Sequence, residues 1–288
     1  MPRGLDHVVH AVNDLDVAAT LYRRLGFLVG ARNHHPWGTH NHIVQLAGFF
    51  FELLTVAEPE KITEPGPNSF SFGAFNRSFL SHGEGLSMLA LESGDAGEDA
   101  ARFRAAGIGD FEPFRFERVG QRPDGSTAKL VFSLAFAVDT QAPQAGFFTC
   151  QHHHPENFWN PAFQHHPNGV AAIGGVDLVA ENPTDHHIFL SAFAGERELL
   201  ATSTGITVST PRGDIRVMDP DAFRIHYGIE PSPLSAGARI DAIRCRTKDF
   251  TAAVKILKEN CIDAQMRMGR IIVGPSVAMG ATIVFEPM

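Results

Sequence analysis

Leu5-Asp6-His7-Val8-Val9, then Asn13-Asp14, then Leu15, Ala18, Tyr22 and Leu25 at helical spacing up to Gly26, reads as a strand, a cap, an amphipathic helix and a stop. The same order recurs three times. Leu86-Ser87-Met88-Leu89-Ala90, Val176-Asp177-Leu178-Val179-Ala180 and Ile240-Asp241-Ala242-Ile243 run into the cap-forming stretches Ser93-Gly94-Asp95, Asn182-Pro183-Thr184-Asp185 and Thr247-Lys248-Asp249. The last helix repeats the apolar spacing with Phe250, Ala253, Val254 and Leu257. Gly107, Gly195 and Asn260 tolerate the left-handed conformation and stand where Gly26 does, about 20 residues after each strand start.

Each helix is followed by a stretch rich in β-branched and aromatic residues, broken by turn signals such as Pro123-Asp124-Gly125, Pro211-Arg212-Gly213 and Met279-Gly280. In the first unit, strands are expected over 29–32, 42–46 and 49–56. The chain therefore reads as an α+β fold of four βαβββ modules. Residues 155–170, rich in Asn, Pro, Gly and His, suit a crossing between domains. The expected division is an N-terminal domain over 1–155, a linker over 156–170 and a C-terminal domain over 171–288. Residues 58–83 are long for a connection and are expected to cover a pocket mouth.

Composition narrows the function. The 24 Lys and Arg against 32 Asp and Glu leave a net charge of −8 with no basic run, which argues against nucleic-acid binding. Apolar runs such as 46–54 and 130–138 are strand length, far below the roughly 20 residues of a membrane helix. Without an apolar signal core at the N-terminus, a soluble cytoplasmic protein is expected. Cys150, Cys245 and Cys261 form no CxxC pair, which disfavours a disulfide framework or a thiolate zinc site. The 23 Phe suggest a wide apolar interior, and the 15 His, dense near 34–42 and 152–166, suggest metal or proton chemistry. No phosphate-binding glycine loop or nucleophile elbow is present.

In a barrel closed from two such modules, the first and last strands of each face one cavity. His7 lies on the first strand. Phe49-Phe50-Phe51-Glu52-Leu53-Leu54 sets Glu52 among large apolar residues, where an unpartnered carboxylate is costly and a cation the economical partner. The competing reading of Glu52 is a hydrogen-bonded structural carboxylate. Aligning Gly146 with Gly48 places Cys150 opposite Glu52, and alternation turns His152 to the same face. His7, Glu52 and His152 then form a set of two imidazoles and one carboxylate suited to a divalent transition metal, with His153 and His154 as competitors of His152. Met88 stands where His7 stands in the first module; Asp177 and Asp241 take that place in the C-terminal pair, where no metal is expected. The hairpin from Asn33 to His42 offers Trp37 and Asn41 to a ligand, and Phe75 and Phe148 are expected in the cavity wall. His10 and His42 are candidates for proton transfer.

Several stretches carry a family resemblance: Gly4 to Asp16, Leu25-Gly26-Phe27, His35-Pro36-Trp37-Gly38-Thr39-His40-Asn41, Phe51-Glu52-Leu53-Leu54, Phe72-Gly73-Ala74-Phe75-Asn76, Gly83-Glu84-Gly85-Leu86-Ser87 and His154-Pro155-Glu156-Asn157. Together they resemble the glyoxalase-like branch of the vicinal-oxygen-chelate superfamily. The resemblance implies four modules paired into two barrel-like domains, and a divalent metal (Zn, Ni, Co, Mn or Fe) chelating a small molecule through neighbouring oxygens. His7, Glu52 and His152 carry over as ligands, with Glu52 also the proton acceptor. A lyase or isomerase is favoured over a ring-cleaving dioxygenase; the alternative is a metal-free binding protein of the bleomycin-resistance type, walled by Phe50, Phe75, Phe79, Phe132, Phe136 and Phe148. A monomer or homodimer fits either activity.

Overall fold

The computed structural model describes residues 2–121 and 126–288, so the expected turn at Pro123-Asp124-Gly125 lies outside the described residues. The first module holds β1 (Leu5–Ala11), α1 (Leu15–Arg24), β2 (Asn33–His34), β3 (Thr39–Leu46) and β4 (Phe49–Val56). A connection carrying α2 (Phe72–Leu80) leads to β5 (Gly85–Glu92), α3 (Ala96–Ala106), β6 (Phe114–Gln121), β7 (Thr127–Ala137) and β8 (Gly146–His152). After α4 (Pro155–Phe158) come β9 (Val170–Val179), α5 (His187–Ala194), β10 (Leu200–Thr202), β11 (Gly205–Ser209) and β12 (Asp214–Met218). A further connecting helix, α6 (Pro220–Tyr227), precedes β13 (Arg239–Thr247), α7 (Phe250–Glu259), β14 (Gln265–Arg267), β15 (Arg270–Val273) and β16 (Thr282–Pro287). The βαβββ order is met four times, and α2 and α6 occupy the same place in the two halves.

Local chemistry sets the helix ends. Asp14, Asp95 and Asp249 accept backbone N–H groups at the starts of α1, α3 and α7, and Gly107 and Gly195 close α3 and α5 in the left-handed region. Gly26 has φ +87, and a Cβ there would stand 2.8 Å from Asn168 Cβ, so chain direction and packing both call for glycine. The expected stop at Asn260 shifts by one residue: Asn260 has φ −87, and Cys261 takes the left-handed turn at φ 52. The strand expected over 29–32 does not form. Gly30 donates one bond to Ile43 O at 2.9 Å, and ladder pairing is left to Asn33 and His34, because Gly30 and Ala31 are weak strand formers at a sheet edge.

In the N-terminal half, β1 pairs parallel with β4, β5 pairs parallel with β8, and β1 and β5 join antiparallel. The C-terminal half repeats this with β9 and β12, β13 and β16, and β9 with β13. Each half is a curved eight-stranded sheet, and the Ile240–Leu86 pair between β13 and β5 joins the two. Helices α1, α3, α5 and α7 cover the convex faces, whereas α2, α4 and α6 supply Phe72, Phe158 and Phe223 to the concave side. The main core lies on the convex side and runs through both halves, with Phe147 against Phe193 and Phe27 against Phe285. Each such buried ring stabilises by about 1.5–3 kcal/mol. Two smaller clusters fill the concave faces, one per half. The stretch 156–170 is packed: Phe158 and Trp159 lie against Phe50 and His152, closing one side of the N-terminal concavity. No helix among the described residues is long and apolar enough to cross a membrane.

Candidate functional site

The parallel pair β1 and β4 sets His7 beside Phe50 and Val9 beside Glu52, so His7 and Glu52 face the concavity from adjacent strands. A register irregularity between Leu5 and His7 turns Asp6 inward as well. Asp6 Oδ1 lies 2.5 Å from His7 Nδ1, which fixes the ring and leaves Nε2 facing Glu52 Oε2 at 3.9 Å. A carboxylate behind a histidine's outer nitrogen is the usual support for a metal-binding imidazole. Phe50 stacks on the His7 ring at 4.2 Å, and Phe148 meets it edge-on at 5.1 Å.

Glu52 is buried, and its other oxygen accepts a 2.5 Å bond from Asn41 Nδ2. Burial pushes the Glu52 carboxyl up; the nearby His7, the Asn41 bond and the Arg118 guanidinium only partly offset this. Burial would raise Asp6 too, but contacts with His152 and His7 win and hold its carboxyl well below the ordinary range. Burial, with the Arg118, His40 and His34 charges, depresses His35 to about 3, so the imidazole 3.8 Å from Glu52 Oε1 is neutral. Burial, then Asp6 and Glu52, push the Cys150 thiol well up. The wall thus holds a protonated thiol, a neutral imidazole and a carboxyl under pressure to accept charge or lose its own.

His7, Glu52, Trp37, Asn41 and Phe148 line one inner cavity of about 40 Å³, which has room for an ion and the oxygens of a small group. It shares Ile43, Arg118 and Phe158 with an outer cleft of about 590 Å³ lined by polar and apolar groups alike. Trp37 Nε1 is buried without a hydrogen-bond partner among the described residues.

Two expected members lie elsewhere. Phe75 packs on Phe70 at 5.7 Å behind the lining. His152 is on the expected face, four residues along β8 from Phe148, which stands level with His7 through Ala90. Its Nε2 turns to Asp6 at 3.1 Å and its ring stacks on Trp159. Among the described residues, the group with ligand atoms close enough to share an ion here is Asp6, His7 and Cys150. His10 sits between Tyr22 and Met279 O, and His42 bonds Gly30 O, so neither lines the cavity. Asp6, His35, Phe116, Arg118 and Phe158 escaped the sequence reading. Alternation of Phe114, Phe116 and Arg118 along β6 carried the signal for two of them; nothing local announces that Phe158 folds back over β4.

Residues 5–193 match the family model described as a glyoxalase-like domain. No curated protein matches the sequence. Among solved structures, a hypothetical protein from Staphylococcus aureus is similar at 12% identity over 99% of this chain and 100% of that chain, with a TM-score of 0.70. A mutant of 4-hydroxymandelate synthase from Streptomyces coelicolor is 12% identical over 100% of this chain and 93% of that one, TM-score 0.56. A 2,2',3-trihydroxybiphenyl 1,2-dioxygenase from Sphingomonas wittichii is 11% identical over 100% and 91%, TM-score 0.54. At such identities the likeness is one of fold.

Proposed function

Because the chain belongs to the glyoxalase-like domain family, we propose that it is a metal-dependent enzyme of lyase or isomerase type acting on a small molecule with two adjacent oxygens. The observation that carries this reading is His7 Nε2 facing Glu52 Oε2 at 3.9 Å inside an aromatic-walled cavity where burial raises the Glu52 carboxyl. The donors fit a divalent ion. His7 is oriented by Asp6, Glu52 lacks an ion-paired Lys or Arg among the described residues, and Cys150 stands within ligand reach of Asp6 and His7. When bound, the ion supplies Lewis-acid polarisation of the substrate oxygens. An imidazole and a carboxylate suit a divalent ion of the zinc type; Cys150, whose thiol burial holds protonated, would join them only as a thiolate formed on metal binding.

The chain's own residues supply the rest. Asn41 holds one Glu52 oxygen and leaves the other turned toward His7 for the ion, and a carboxyl raised toward neutrality is a stronger proton acceptor than an ordinary one. The Trp37 Nε1–H offers a donor to a substrate oxygen. Phe50, Phe148 and Phe158 exclude water from the reacting end. The inner cavity admits that end alone, so the body of the substrate lies in the outer cleft, where Arg32 and Arg118 favour an anionic group.

Metal analysis of protein purified without chelator, followed by reconstitution with Zn, Ni, Co, Mn or Fe, tests this. Changing His7→Ala or Glu52→Ala is expected to remove one equivalent, and Cys150→Ser to weaken binding more than His152→Ala. Metal content undiminished by the first two changes would sink the proposal and leave metal-free binding in the same cavity.

A further inference from the structure

Outside the cavity, on the solvent side of the same hairpin, His34 and His40 are register partners across β2 and β3, with ring centroids 4.0 Å apart. Glu58, just past β4, completes a convergence. His40 Nε2 is 3.0 Å from His34 Nδ1 and 3.1 Å from Glu58 Oε2, while Lys61 holds the other Glu58 oxygen at 2.5 Å. The three ligand atoms lie within 4.8 Å of one another.

His40 Nε2 thus stands between two partners at once. A single hydrogen on Nε2 can be aimed at the carboxylate or at the His34 nitrogen, not fully at both. A bare Nε2 puts its lone pair against a carboxylate. A divalent cation at the point where the three lone pairs meet engages His34 Nδ1, His40 Nε2 and Glu58 Oε2 together, with the His40 hydrogen on Nδ1, where it also lies whenever Nε2 is bare. We infer that His34, His40 and Glu58 form a second metal site, distinct from the cavity, that takes a borderline divalent ion of the zinc type with solvent in its open position.

The ion would tie the β2–β3 hairpin to the segment after β4. That hairpin also carries His35 and Trp37, stacked at 4.5 Å in the cavity wall, so occupancy of the outer site stiffens the rim of the inner one. The inference does not depend on the proposed activity.

The test is titration of the chelator-stripped full chain with Zn2+ alone, followed by calorimetry and metal counting. His34 is exposed and Glu58 half-exposed, so His34→Ala and Glu58→Gln leave the core intact. One class of zinc site is expected to weaken by about tenfold or more in either variant. The same class is expected to persist in a His7→Ala/Glu52→Gln protein. Unchanged zinc stoichiometry and affinity in His34→Ala/Glu58→Gln would overturn the inference, as would a His7→Ala/Glu52→Gln protein that binds none. Loss of an equivalent in the cavity variant but not in the hairpin variant would leave the cavity reading standing and remove this one.

Discussion

The two halves build the same crevice and fill it in opposite ways. Between β1 and β4 the crevice holds His7 and Glu52 around open space. Between β9, β12, β13 and β16 it holds Arg244, which is 1% exposed. The Arg244 guanidinium bonds Asp177 at 3.1 Å and Asp214, and lies 3.7 Å from Glu286; Tyr227 donates a further bond to Asp177. Gly175 makes room, since a Cβ there would come within 2.1 Å of the guanidinium. One half thus carries its cation on a strand, and the other sets a carboxylate and an imidazole around open space.

The largest expected effect breaks the filled half. Arg244→Met leaves Asp177 and Asp214 without their cation in a buried setting, and loss of one partner of a buried pair costs roughly 3–5 kcal/mol. Urea unfolding measures it. A loss below about 1 kcal/mol would show that the network is solvated in solution and that the contrast between the halves is weaker than the geometry indicates.

Much of this contrast was legible in the sequence. The four strand-cap-helix units announced the fold because period and capping are local. Glu52 among Phe50, Phe51, Leu53 and Leu54 announced itself because a carboxylate in that company needs a partner. Depth was not legible. Phe148, Cys150 and His152 share a face, and a period of two does not tell that Phe148, through Ala90, stands level with His7. The Arg244 network is assembled from β9, β12, β13 and β16, and no single stretch of sequence shows four elements meeting. Phe158 was hidden in what read as a linker.

The next effect tests the seam between the halves. His10, on β1, bonds Tyr22 on one side and Met279 O of the C-terminal half on the other. Burial lowers its pKa from 6.5 to about 4, with the bond to Met279 opposing. The folded state therefore takes up a proton later than the unfolded chain. Its contribution is intact above pH 6.5 and is lost as pH falls toward 4, on the order of 3 kcal/mol in full. Unfolding free energies at pH 7 and pH 4.5 should differ less in His10→Gln than in the parent. Equal differences would remove His10 as the acid-sensitive point of the seam.

The smallest effect has the opposite sign. Burial raises the Glu52 pKa, so any stability its protonated form contributes is present at low pH and is lost as pH rises through the folded value. At neutral pH, without metal, the open half carries this carboxylate as a burden. Glu52→Gln keeps the shape and an oxygen for Asn41, and it should stabilise the metal-free protein by about 1 kcal/mol at pH 7, with less gain at pH 4. Added zinc should reverse the order, because the parent then gains binding energy that the variant lacks. Thermal melts with and without the ion separate the cases. A Glu52→Gln protein less stable than the parent without metal would mean that Asn41, His7 and Arg118 already satisfy the carboxylate, making the N-terminal crevice as self-sufficient as the C-terminal one.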